Sequence, residues 1–154
     1  MNPVGVQIEA GKVFLKEIET NVAAGTDFAF ETTLSGRMYV HLLNKLVFDG
    51  WKVALFYLWI PSAEFSRLRV EQRVESGGHD IPDEAIARRY KRTVLNFMNV
   101  FAPLCDKVLC CDNSAPAPIP FFVDLNQKRQ VIDHVRYLQI LESVHERKKH
   151  VEDG

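Results

Sequence analysis

Lys52 to Ile60, KVALFYLWI, is a nearly unbroken run of β-branched, aromatic and aliphatic residues. It is too short for a buried helix and lacks the alternation of a half-exposed strand, so it predicts a strand covered on both faces in a parallel sheet, the most buried of the chain. A parallel sheet needs helices as crossovers. The sequence supplies helical patterns over Val6 to Ala24, over Gly36 to Asp49 after a Ser35 N-cap, from Pro61-Ser62 to Glu75, from Pro82 to Phe101, and from Gln127 to Lys149. Gly25 and Gly50 stand as C-terminal stops, and Ser76-Gly77-Gly78 breaks the third helix. Further strands are expected at Phe28 to Glu31 and Lys107 to Cys111, with an edge strand at Ile119 to Val123 after the proline-punctuated turn Ala115 to Pro120. The fold class is therefore α/β, a parallel sheet with helices on both faces and ligands gathered at the carboxyl ends of the strands.

At 154 residues with 47% apolar content the chain is expected to form one domain, 1–154, with 148–154 a charged tail. A net charge of -1 argues against a nucleic-acid partner, which calls for a basic face. The N-terminus has no signal-peptide pattern, and no stretch nears eighteen continuous apolar residues, which argues against a membrane. Cys105, Cys110 and Cys111 form no paired framework and no C-x-x-C, as suits a reducing cytoplasm, and structural zinc is not expected.

Phe28 to Arg37, FAFETTLSGR, reads as a strand delivering Glu31 to its carboxyl end, with Thr32 and Thr33 behind it. Such an acid could position a hydroxyl-bearing substrate, or simply cap the next helix. Asn113, after the Lys107 strand, is a second candidate at the same edge or a plain turn residue. Arg73 before the glycine break and Arg88, Arg89 and Arg92 after it form a basic lid, 73–92, of the kind that brings guanidinium forks onto phosphates; the alternative is a solvated helix face. His79 is a lid residue or a polar loop residue. Gly5 to Gly11-Lys12 is no phosphate-binding loop, since five residues intervene instead of four, Val13 replaces the magnesium-binding hydroxyl and no strand precedes it. His134 and His145 lie too far apart along their helix to share a metal, and no metal site or nucleophile-base pair can be assigned.

The segments FAFETTLSGR, KVALFYLWIPS, RVEQRVESGGHDIPDEAIARRYKR and CDNS together resemble the zeta-toxin-like group of bacterial P-loop kinases, known from toxin-antitoxin systems, over about Val6 to Asp124. The resemblance implies a P-loop kinase-like fold, ATP and Mg2+ as cofactors, and transfer of the ATP γ-phosphate to a hydroxyl of a small substrate, such as a sugar nucleotide. It places Glu31 and Arg37 on the substrate side and Arg73 with Arg89 on the phosphate clamp, Arg92 being a further possibility; Thr32 beside Glu31 is a substrate-side candidate and Asn113 a nucleotide-side one. Nothing matches Walker A or the catalytic aspartate, which the family places upstream, and no catalytic residue is identified. Met1 falls in the helix between the family's second and third strands, so the first strands and the P-loop are expected to be absent. Without them the chain alone should not transfer phosphate. Two readings follow. One is the C-terminal part of a kinase that works with a missing N-terminal segment; the other is a non-catalytic remnant that binds a nucleotide or a protein, including an antitoxin-like partner or a second copy of itself. The absent strand would lie between the Phe28 and Lys52 strands. These two are expected to close up and pair directly, or else to leave a slot that another chain fills.

Overall fold

The computed structural model describes residues 3–78 and 80–152, except the side chains of 3–8, 10 and 145–152. His79, a candidate lid residue, lies outside the described residues, as does the His145 side chain. The chain divides into two compact units, residues 1–32 and 33–154.

The N-terminal unit is helix α1, Pro3–Ala24, and the segment behind it. Gly25 stops α1 with φ 65°, a left-handed conformation that glycine adopts freely, and its amide bonds to the Val22 carbonyl. Phe28 to Glu31 is not a strand. It is not among the strands of the described sheet, and its rings pack locally: Phe30 meets Phe14 of α1 edge-on at 5.6 Å and stacks on Phe28 at 6.4 Å. The expected pairing of this segment with the Lys52 strand is thus overturned.

The second unit runs through α2 (Val40–Phe48), β1 (Ala54–Trp59), α3 (Ala63–Glu75), α4 (Asp83–Asn96), a π-helical turn Phe97–Phe101, a short 3-10 turn, β2 (Lys107–Asp112), β3 (Ile119–Leu125), β4 (Lys128–Val131) and α5 (His134–Glu152). The sheet order is β1-β2-β3-β4. Only β1 and β2 are parallel, in register from Ala54 with Lys107 to Trp59 with Asp112; the others are antiparallel. The architecture is therefore α/β with a mixed sheet, and the all-parallel expectation fails for a physical reason. Residues 113–118 between β2 and β3 are too few for a parallel crossover, which takes about a dozen residues. The Ile119 strand is consequently interior, and β4, within the segment whose pattern predicts the last helix, forms the edge through a two-residue hairpin. Asn126 and Gln127 supply its left-handed pair, φ 48° and 65°.

The core lies on one side of the sheet. Tyr57 stacks on Phe97 with ring centroids 3.8 Å apart, and Trp59, Val108, Cys110, Phe121, Phe122, Val94, Phe101 and Ile140 complete it. The register slips between Cys110 and Cys111, and Phe121 and Phe122 are both fully buried, edge to face at 5.3 Å. β1 is not buried on both faces as expected. Its exposure alternates, with Tyr57 and Trp59 inside while Phe56 is 66% and Leu58 55% exposed. Among the described residues no helix is long and apolar enough to cross a membrane.

Candidate anion-binding site

The corner from Thr33 to Arg37 is fastened to α4. Thr93 Oγ1 donates to the Thr33 carbonyl at 2.9 Å, and the buried Asn96 donates through Nδ2 to the Leu34 carbonyl at 2.8 Å. Leu34 is buried and takes φ 53°, a left-handed conformation uncommon for a branched side chain, which these two clips hold in place. Thr33 Oγ1 and Ser35 Oγ share a 2.9 Å hydrogen bond. Ser35 is thereby engaged in the corner and does not cap α2, which begins five residues later at Val40.

Arg37 leaves this corner and donates from Nε to Asn96 Oδ1 at 3.2 Å. The amide of Asn96 thus orients the guanidinium with its oxygen while its nitrogen holds the Leu34 turn. Arg37, Arg92, Ser35, Gly36, Leu95 and Asn96 line an open concavity of about 340 Å3. Arg92 makes no ion pair with the described residues. Two guanidinium groups and a hydroxyl facing one hollow suit an anion with several acceptor oxygens, such as a phosphate ester.

Of the residues singled out in the sequence, the structure brings Arg37 and Arg92 together from positions 55 apart. Arg73, Arg88 and Arg89 are exposed on α3 and α4 and do not line this hollow. Glu31 and Thr32 are exposed residues of the N-terminal unit, and the strand meant to aim Glu31 does not exist. Gly77, with φ 87°, ends α3, and the Gly78 amide bonds to the Arg73 carbonyl at 2.8 Å. A Cβ at Gly78 would come within 2.6 Å of Arg73 Cγ, so the close approach itself requires glycine there.

Asn113 and the Pro61 turn do share the carboxyl edge of the parallel pair, the Asn113 amide donating to the Trp59 carbonyl at 2.7 Å. Arg69 of α3 donates to the Asn113 carbonyl, and Tyr90 Oη donates to the Ile60 and Pro61 carbonyls at 3.1 and 3.0 Å. Beside this edge, Asp112 accepts from Arg136 Nε at 2.7 Å and from the Ser114 amide at 2.8 Å. Burial works against its charge, yet these hydrogen bonds keep its carboxyl below the usual range. Arg69, Asn96 and Arg136 were not singled out in the sequence. Asn96 carried a usable signal, a polar residue within the apolar stretch VLNFM of a helix.

Among the described residues no group of three His, Cys, Asp or Glu could hold a metal ion. No glycine-rich loop joins a described strand to a helix either: Pro61-Ser62 leads from β1 into α3, and β2 turns into β3. The Arg37 and Arg92 donors thus suit a phosphate, and the described residues include no P-loop cradle for a triphosphate.

No protein-family model matches the chain, and no solved structure matches it. A protein of Haemophilus influenzae described as "Uncharacterized protein" is 30% identical over 89 residues, which is 58% of this chain. The chain spans 64% of that relative's length, less than two thirds.

Proposed function

We propose that the protein binds the phosphate of a small molecule, nucleotide or sugar nucleotide in the concavity of Arg37 and Arg92, as the substrate-side and lid-side part of a P-loop small-molecule kinase. The supporting observation is that one arginine from the FAFETTLSGR segment and one from the helix after the glycine break line the same hollow. Arg37, fixed by Asn96, presents its remaining donors in a set direction, while Arg92 supplies a second fork. Ser35 and Gly36 add a hydroxyl and an unobstructed backbone. ATP, when bound to a complete kinase of this kind, supplies the phosphoryl group. This chain's own residues neutralise and orient phosphate charge, the larger part of what phosphoryl transfer asks of a protein.

Transfer to a substrate hydroxyl is then expected only when a phosphate loop and a base come from another segment. The second reading is a non-catalytic nucleotide-binding or protein-binding remnant. The kinase reading and the nucleotide-binding one both place the anion at Arg37 and Arg92. A cytoplasmic setting suits the three free, buried cysteines. Melting of the protein in increasing pyrophosphate tests the site: the midpoint rises by linkage and added salt weakens the rise. A midpoint indifferent to pyrophosphate would remove the site.

A further inference from the structure

We propose that β1 is the pairing edge of a homodimer, in which the β1 strands of two copies add to each other antiparallel about a two-fold axis at Phe56. On its inner edge β1 bonds to β2 and its flanks: the Val53 carbonyl accepts from the Asp106 and Lys107 amides, and the Trp59 carbonyl accepts from Asn113. Strand alternation therefore turns the amides and carbonyls of Ala54, Phe56 and Leu58 to the outer edge, where no described strand pairs with them. The same residues carry the exposed apolar side chains, Phe56 at 66% and Leu58 at 55%. Edge strands of soluble proteins are commonly blunted by a charge, a proline or a bulge. ALFYLW contains no charge and no proline, and its pairing with β2 runs without a register shift.

A second copy fits this edge because the sequence is complementary to itself in reverse. With Phe56 on the axis, Phe56 faces Phe56 of the second copy and Leu58 faces Ala54, so the large side chain meets the small one. Every outward amide and carbonyl of the three residues finds a partner in this register, and the central aromatic pair adds to it. Lys52, already paired with Asp106 at 2.9 Å, falls opposite Ile60, so no like charges meet across the axis. The surface offered by one six-residue strand is small beside the ~800 Å2 per partner of a standard interface. Association is accordingly weak and concentration-dependent.

Sedimentation velocity of the full chain from micromolar to millimolar concentration tests this pairing. The expected result is a rise from 17.6 kDa towards twice that mass, abolished by Phe56→Lys with the far-ultraviolet circular dichroism unchanged. Should Phe56→Lys fail to fold, Phe56→Cys decides, since opposed cysteines at the axis are close enough to cross-link on mild oxidation. A chain that stays monomeric throughout, a dimer that survives Phe56→Lys, or a dimer in which Phe56→Cys does not cross-link would each overturn the proposal. A monomer that acquires a strand from an added unrelated peptide would do so as well.

Discussion

Arg37 Nε donates to Asn96 Oδ1 at 3.2 Å, a hydrogen bond between residues 59 apart that fixes a surface guanidinium by way of a buried amide. Asn96 is 4% exposed, and its Nδ2 is committed to the Leu34 carbonyl at 2.8 Å. A single side chain thus couples the left-handed Leu34 corner to the orientation of Arg37. An arginine held in one geometry before its ligand arrives loses less freedom on binding than a mobile one.

Asn96→Ala should therefore affect stability and binding together. Losing the buried hydrogen bond from Asn96 to the Leu34 carbonyl costs on the order of 1 to 3 kcal/mol. Chemical denaturation is expected to show a loss of that size, and pyrophosphate affinity should fall although no charge is removed. Unchanged stability and affinity would mean that Asn96 does not organise the corner.

Asp112 and Arg136 contribute to the acid limb of stability, together with Asp106 and Asp133, whose carboxyls are also lowered. The Asp112 carboxyl lies below its ordinary value of 3.8 in the folded chain, so its contribution is present above that value and is lost as pH falls through the folded pKa. Arg136→Gln removes the guanidinium, leaving burial opposed only by the Ser114 hydrogen bonds, so the Asp112 carboxyl rises relative to the wild type. The urea midpoint of this variant should begin to fall at a higher pH than that of the wild type, and coincident acid limbs would refute the assignment.

The cysteines should be inert in the native state. Burial pushes the Cys105 thiol up to about 11 and raises those of Cys110 and Cys111 as well. Iodoacetamide at pH 8 should modify them at a small fraction of the rate seen in urea. Alkylation of the folded protein at the rate of a free thiol would contradict the packing around β2.

Phe97→Ala should cost about 3 to 5 kcal/mol, because it removes the ring that stacks on Tyr57 and touches Phe122 in a fully buried position. Thermal melting checks it, and a loss under half of that would show that the core refills the space.

The helices were legible in the sequence because their periodicity and stops are local: Ser62 caps α3 as expected, its Oγ accepting from the Phe65 amide, and Gly25 and Gly50 end α1 and α2. The buried faces of Ile86, Val94, Phe97 and Phe101 followed from the same period. Strand partners were not legible. KVALFYLWI and FAFE carry apolar content but no statement of what lies beside them, so one became an edge strand with Phe56 and Leu58 outside and the other no strand at all. β4 was hidden because KRQV is polar and its Asn-Gln turn lacks the glycine that usually marks a two-residue hairpin. Arg37 and Arg92 could be named from sequence. That the same hollow holds both, and that Asn96 orients one of them, depends on how the Leu34 corner docks on α4.

Calorimetric titration with pyrophosphate, comparing the wild-type chain with Arg37→Gln, Arg92→Gln and Lys91→Gln, shows whether Arg37 and Arg92 together bind an anion. Lys91 is exposed beside Arg92 on α4 and does not line the hollow, so it controls for a loss of charge alone. Saturable binding that each arginine substitution weakens at least about tenfold, a change of roughly 1.4 kcal/mol, and that Lys91→Gln leaves intact is the predicted result. No saturable binding, or equal weakening in all three variants, would contradict an anion site built from Arg37 and Arg92.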